Sequence, residues 1–151
     1  MREGWLILGS LLLAACGGGE APPPAAAQPG DASGSATLSQ FELEHGIGPV
    51  TEPLTLGEVN HEMAEAGEEL FELKCAACHK LREKYVGPAL GDVTARRSPA
   101  FIMNMILNPQ AMIERHPVVK QLLAEHLTFM PNQGLSRDQA RQVLEYLRDP
   151  R

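Results

Sequence analysis

The residues with the most evident chemistry are Cys75, Cys78 and His79, which form the pattern C-A-A-C-H. Two thiols three positions apart can each add across a vinyl group of haem, while the adjacent imidazole binds the iron. One short turn can therefore supply two covalent tethers and an axial ligand. The pattern predicts one covalent haem c, attached through Cys75 and Cys78, with His79 on the iron.

Two cysteines at this spacing could also form a redox pair, half of a zinc site or a structural disulfide. A redox pair usually begins a helix that follows a strand, but the sequence before Cys75 has helical character. A zinc site needs two more close ligands, and the third cysteine, Cys16, lies far away in a different kind of segment. These observations favour haem.

Several motifs around this pattern resemble those of the class I monohaem cytochromes c. Gly67 and Phe71 precede Cys75 at the spacing G-x-x-x-F-x-x-x-C-x-x-C-H, which the family uses in its first helix. Tyr146 is similar to an aromatic residue of the family's last helix that packs on the first. The resemblance covers about residues 58 to 150. It implies an all-α class I cytochrome c fold, with helices packed around one haem.

The resemblance also implies the surroundings of the iron. The segment V-G-P-A-L, which contains Pro88 and Leu90, resembles a family loop whose proline carbonyl accepts a hydrogen bond from the proximal histidine. The segment T-F-M-P, followed by L-S, resembles the distal loop, whose methionine is the sixth ligand. We therefore expect Pro88 and Leu90 at the haem and Met130 on the iron together with His79.

Other side chains could take the sixth position. Met112 is the next methionine candidate, but Met130 has the better setting, because the proline after it favours a stiff, extended loop that can present a thioether. A bis-histidine haem is a further alternative without motif support. The histidines that could form it are His45, His61, His116 and His126.

An arginine is expected to bind a haem propionate. Arg96 lies nine residues after Gly87, the offset at which similar cytochromes carry such an arginine. A guanidinium stays charged and can pair with a carboxylate through two parallel hydrogen bonds. The adjacent Arg97 could serve instead, and an exposed basic turn with no haem contact is the other interpretation.

The amino terminus predicts export and attachment to a membrane. Residues 5–15 form an almost wholly apolar run, about half the length that spans a bilayer, so residues 1–15 fit a signal peptide. The following L-A-A-C resembles the bacterial lipobox, which makes Cys16 the lipidated first residue. We expect a periplasm-facing protein of the bacterial cell envelope, anchored through Cys16. An ordinary signal peptide that contains a cysteine is the alternative.

The rest of the chain divides into three parts. Residues 16–40 carry the lipid anchor and a linker rich in Pro, Ala and Gly, which cannot bury enough apolar surface to fold. Residues 41–57 have scattered apolar side chains and predict an irregular strap, docked on its own domain or on a neighbouring subunit. The cytochrome c haem domain is expected over residues 58–151.

Capping signals predict the helices of this domain. The first helix is expected over residues 58–74, directly before the haem pattern. Ser98 is an N-cap residue followed by Pro99 at the first helical position, which predicts a helix to about Leu107. Similar signals predict a short turn near Met112, a helix from Pro117 to about Leu127, and a last helix after a capping box at Ser136.

The formal net charge of −6 is unevenly distributed along the chain. Basic residues follow the haem pattern closely: Lys80, Arg82, Lys84, Arg96 and Arg97. Such a surface near a haem would steer docking to an acidic redox partner. The composition does not suggest nucleic acid binding.

A histidine and a methionine on one iron leave no open position for a small-molecule substrate. The resemblance therefore implies a carrier of single electrons and not an enzyme. Redox partners that it implies are a quinol-oxidising complex and a terminal oxidase or reductase. A fixed subunit, similar to the monohaem subunit of bacterial alternative complex III, is a second interpretation. A haem enzyme, or a gas or redox sensor with a displaceable sixth ligand, is the alternative from another class.

Overall fold

The computed structural model describes residues 37–150, and every regular element in that part of the chain is helical. The all-α prediction is therefore confirmed. The signal peptide, Cys16 and most of the linker lie outside the described residues. The helices are α1 (Gln40–His45), α2 (His61–Lys74), α3 (Val93–Arg96), α4 (Pro99–Leu107), α5 (Pro109–Arg115), α6 (Pro117–His126) and α7 (Arg137–Arg148). Within this region, no helix has the length and apolar character to cross a bilayer.

Prolines and capping side chains determine where most of these helices begin. Helices α4, α5 and α6 each have proline at the first helical position. The hydroxyl of Ser98 accepts a hydrogen bond from the Phe101 amide, and Ser136 forms the predicted capping box with Gln139. Helix α2 begins three residues later than predicted, because the side chain of Asn60 caps it.

The first and last long helices, α2 and α7, pack closely on each other. Gly67 permits this approach, since a Cβ atom there would lie 2.0 Å from the carbonyl oxygen of Gln142. The ring centroids of Phe71 and Tyr146 lie 5.3 Å apart, so the two rings pack on each other as the family resemblance implied. This contact fixes the C-terminal end of α2, and with it the C-A-A-C-H pattern, against the core.

The strap was expected to be irregular, but its first five residues belong to the short helix α1. Ser39 and Glu42 form a capping box at the start of α1. A six-residue helix is too short to show an apolar period, so the sequence pattern did not reveal it. Beyond α1 the strap packs on its own domain and buries Ile47 and Val50.

Asn104 of α4 holds the strap in place. Its side chain is fully buried, donates to the carbonyl oxygens of His45 and Val50, and accepts from the Val50 amide, at 2.9 to 3.0 Å. Three polar groups of the strap are thereby satisfied inside the protein by one amide. Met105 and Ile106 of the same helix line a cavity in the domain, whereas Asn104 does not.

Candidate haem site

A large apolar cavity is lined by side chains from helices α2 to α7 and from the loops between them. All seven residues predicted to contact the cofactor line it: Cys75, Cys78, His79, Pro88, Leu90, Arg96 and Met130. They come from segments up to 55 residues apart in the sequence, so the tertiary fold is what brings them together.

The C-A-A-C-H segment forms a tight turn at the end of α2. The amides of Cys78 and His79 both donate to the carbonyl oxygen of Cys75, at 3.0 and 2.9 Å. Both thiols are free and half-buried. Burial, with a smaller effect of Cys78, raises the pKa of Cys75 to about 11. A protonated, buried thiol is a poor redox nucleophile, which argues against the redox-pair alternative.

The described residues also give no support to a zinc site. They contain no group of three or more His, Cys, Asp or Glu side chains placed to hold a metal ion. The cysteine pair is thus left with one imidazole beside it, and a tetrahedral zinc site needs four ligands.

The ring of His79 is held from two directions. Its Nδ1 donates to the carbonyl oxygen of Pro88 at 3.0 Å, as expected for the proximal ligand, which leaves Nε2 without the proton. Gly87 lies against the ring, since a Cβ atom there would be 2.5 Å from His79 Cε1. Burial lowers the pKa of His79, and the bond to Pro88 opposes this. The neutral imidazole is the form that binds iron.

Met130 and Met112 lie in different environments. Met130 is half-buried in the loop before α7 and lines the cavity. Met112 is fully buried in a separate cluster, where its sulfur accepts a hydrogen bond from the Ile47 amide at 3.0 Å. Met105 of α4 also lines the cavity. Asn132 anchors the loop of Met130 by donating to the Leu107 carbonyl at 3.3 Å.

The four histidines considered as alternative ligands lie in three places. His61 is exposed at the start of α2, and His45 and His116 contact the region where α1 docks. His126 alone among these four lines the cavity, and its Nδ1 lies 3.2 Å from the carbonyl oxygen of Val86. No sequence motif pointed to this contact.

Arg96 and Arg97 both line the cavity. Arg96 donates to the carbonyl oxygen of Ala89 at 2.9 Å and to Asp92 at 2.8 Å, and this hydrogen bond lowers the pKa of Asp92. The guanidinium of Arg97 stacks 5.3 Å from the centre of the Phe101 ring. Both cations are near enough to the cavity to serve a carboxylate there.

The side chains around the cavity fit haem c. Two thiols are available for the vinyl groups, and a neutral imidazole and a thioether are ligands that haem iron takes in cytochromes c. Apolar walls suit the macrocycle; they include Phe71, Ile102, Ile106, Val143 and Leu147. Arginines at the cavity suit the propionates. A haem in this site would supply a one-electron couple between ferrous and ferric iron.

Comparison with known proteins agrees with this assignment. The family model described as cytochrome c matches residues 64–149. A cytochrome c-553-like protein of Synechocystis sp. is 31% identical over 72 residues, which is 44% of this chain and 66% of that protein. Cytochrome c-551 of Ectopseudomonas mendocina is 56% identical over 34 residues, 22% of this chain and 42% of that protein. The chain thus spans less than two thirds of either relative's own length.

A solved structure covers more of the chain. The cytochrome c from Rhodothermus marinus is 50% identical, with a TM-score of 0.68 over 73% of this chain and 95% of that one. At this identity and TM-score the likeness extends to sequence as well as to helical architecture. The chain therefore belongs to the cytochrome c family and carries covalently bound haem c.

Proposed function

We propose that this protein carries single electrons between respiratory redox partners, with His79 and Met130 as the two iron ligands and lipidated Cys16 as a membrane anchor. The observation that carries the proposal is the convergence of His79 and Met130 on the cavity that also contains both haem-attachment thiols. An iron bound on both faces by the protein has no position for a substrate, so its chemistry is electron transfer.

The protein's own residues keep this site ready for electron transfer. Pro88 fixes the orientation of the His79 ring and keeps its Nδ1 protonated, which raises the basicity of the ligating nitrogen. Apolar side chains from α4 and α7 line the cavity and disfavour water there. Because hydrogen bonds hold both the His79 ring and the loop of Met130, little of the protein would have to move when an electron enters or leaves.

Replacement of the proposed sixth ligand tests this function. We expect Met130→Ala to lower the reduction potential and to remove the sulfur-to-iron absorption band of the ferric protein, because a thioether stabilises ferrous iron. Met112→Ala and Met105→Ala are the controls and should keep the band. Loss of the band in either control, with the band retained in Met130→Ala, would contradict the ligand assignment.

The alternative of a gas sensor or haem enzyme predicts a different result. A displaceable sixth ligand would let the reduced wild-type protein bind carbon monoxide rapidly at neutral pH. We expect this reaction to be slow in the wild type and fast in Met130→Ala. Rapid binding by the wild type would support the sensor or enzyme instead of the carrier.

The membrane anchor is tested at Cys16, which precedes a segment predicted to be a flexible linker. Diacylation of this thiol together with acylation of the new amino terminus would provide stable attachment, because two or more lipid chains are required for it. We expect Cys16→Ser to release a haem-loaded protein from membranes or to leave an unprocessed precursor. A mature wild-type chain that begins beyond Cys16, found by mass spectrometry, would contradict the lipoprotein proposal.

The partner is proposed to present an acidic surface. Some of the basic side chains already have acidic neighbours, with Lys84 3.2 Å from Glu125 and Arg96 2.8 Å from Asp92. Lys80 stacks on the ring of the exposed Tyr85. We expect the rate of electron exchange with a quinol-oxidising complex or a terminal oxidase or reductase to fall as salt concentration rises. A rate that is independent of salt would contradict an acidic partner.

A further inference from the structure

The C-terminal end of α6 contacts the segment that holds the proximal histidine. The side chain of His126 is only 4% exposed, and its Nδ1 lies 3.2 Å from the carbonyl oxygen of Val86. A carbonyl oxygen can only accept a hydrogen bond, so Nδ1 carries the proton and donates it. The two residues are 40 positions apart, so this bond exists only in the folded domain.

Val86 begins the turn that orients His79. The next residue, Gly87, lies against the His79 ring and donates its amide to the Cys78 carbonyl at 2.8 Å. The residue after it, Pro88, accepts the hydrogen bond from His79 Nδ1. A displacement of Val86 is therefore passed through one or two peptide units to the groups that hold the imidazole.

His126 also stands at the beginning of the loop that carries Met130. It is the last residue of α6, and Met130 follows four positions later. Between them, Leu127 has a left-handed backbone, with φ 53° and ψ 25°, and its side chain is 87% exposed. Leucine rarely adopts this conformation, and here burial does not compensate for it. The left-handed conformation directly after His126 is thus a feature that the fold maintains at a cost.

We propose that His126 is a positioning residue for both iron ligands. Its ring holds the segment of His79, and its main chain begins the loop of Met130. This inference rests on the ligand pair proposed above. An ion pair between Lys84 and Glu125 joins the same two segments at 3.2 Å, but both side chains are more than half exposed, so its contribution is small.

Two polar replacements of His126 test whether the position of the hydrogen-bond donor matters, or only the presence of a polar side chain. The amide nitrogen of asparagine can occupy the place of Nδ1, whereas that of glutamine lies nearer to the place of Nε2. We expect His126→Asn to keep the reduction potential and the sulfur-to-iron band of the wild type. We expect His126→Gln to lower the potential and to increase the equilibrium constant for loss of the methionine ligand about tenfold, the effect of one lost hydrogen bond.

The ligand equilibrium is measured by titrating the ferric absorption band towards alkaline pH in the purified holoprotein. Lys84→Gln is the matched control, because it removes the exposed ion pair and leaves His126 in place, and its band and potential should equal those of the wild type. Identical behaviour of the Asn and Gln variants would overturn the proposal. So would a loss of unfolding free energy in His126→Gln with an unchanged band and potential, since His126 would then be structural only.

A wrong ligand pair and a wrong role for His126 would give different experimental results. If the wild-type protein lacks the band, Met130 is not the sixth ligand. In that case the difference in reduction potential between the Asn and Gln variants still tests whether His126 positions His79. Equal potentials in the two variants would then overturn this half of the proposal as well.

Discussion

Asn104 offers the sharpest test of how the strap is held on the haem domain. Its buried amide makes two hydrogen bonds as donor, to His45 and Val50, and one as acceptor, from Val50. Asn104→Ala removes all three bonds at once and leaves one amide and two carbonyl groups of the strap inside the protein without partners. Water must then enter, or the strap must move away.

The size of the effect follows from these contacts. Three hydrogen bonds at a net value of about 1 kcal/mol each give a loss of about 3 kcal/mol in the free energy of strap docking. The buried groups left unpaired and the space left by the amide raise this figure to about 5 kcal/mol. A change of this size is a large part of the stability of a small domain. The strap can detach locally, so the loss in global stability is limited to the free energy with which it docks.

Hydrogen exchange measured on the holoprotein distinguishes local detachment from global unfolding. We expect exchange of the Val50 amide to become at least about a hundredfold faster in Asn104→Ala, since each factor of ten corresponds to about 1.4 kcal/mol. The amide of Ile47, in the same strap, should change in parallel. Gln110→Ala, which removes an exposed amide from α5, is the control and should change neither.

A small effect would refute this reasoning. If Asn104→Ala accelerates exchange of the strap amides less than about fivefold, the three bonds do not hold the strap, because even one net hydrogen bond accounts for such a factor.

Two further predictions concern packing and pH. Gly67→Ala would place a methyl group 2.0 Å from the backbone oxygen of Gln142, so α2 and α7 must separate. We expect the free energy of unfolding, measured with denaturant, to fall by about 3 kcal/mol or more. Unchanged stability would contradict the close contact between the two helices. Burial lowers the pKa of His116, although its bond to the Leu43 carbonyl opposes this, so the unfolded chain takes up the proton first as the pH falls. The stability that His116 contributes is therefore fully present above about pH 6.5 and declines below it. His116→Gln keeps a hydrogen-bond donor but does not titrate, so it should reduce the slope of unfolding free energy against pH between about pH 6.5 and 5. An unchanged slope would mean that other groups cause the pH dependence of stability.

The local parts of this protein could be predicted because their causes lie within a few residues of sequence. Proline at the first helical position and the N-cap at Ser98 predicted α4 with its observed bounds. The capping box at Ser136 predicted the start of α7. The C-A-A-C-H pattern predicted covalent haem, since all of its reactive atoms come from one turn. Short helices such as α1 and α3 were missed because four to six residues show no period.

The long-range contacts were decided by the tertiary structure. The sequence left Met112 as a second candidate ligand, and only the packing of the strap shows that its sulfur accepts a bond from Ile47, outside the cavity. Asn104 and His126 carried no motif, because each acts on residues at least 40 positions away. A hydrogen-bonding side chain looks the same in sequence whether its partner is water or a buried backbone group. Its role is therefore determined when the chain folds and excludes water from around it.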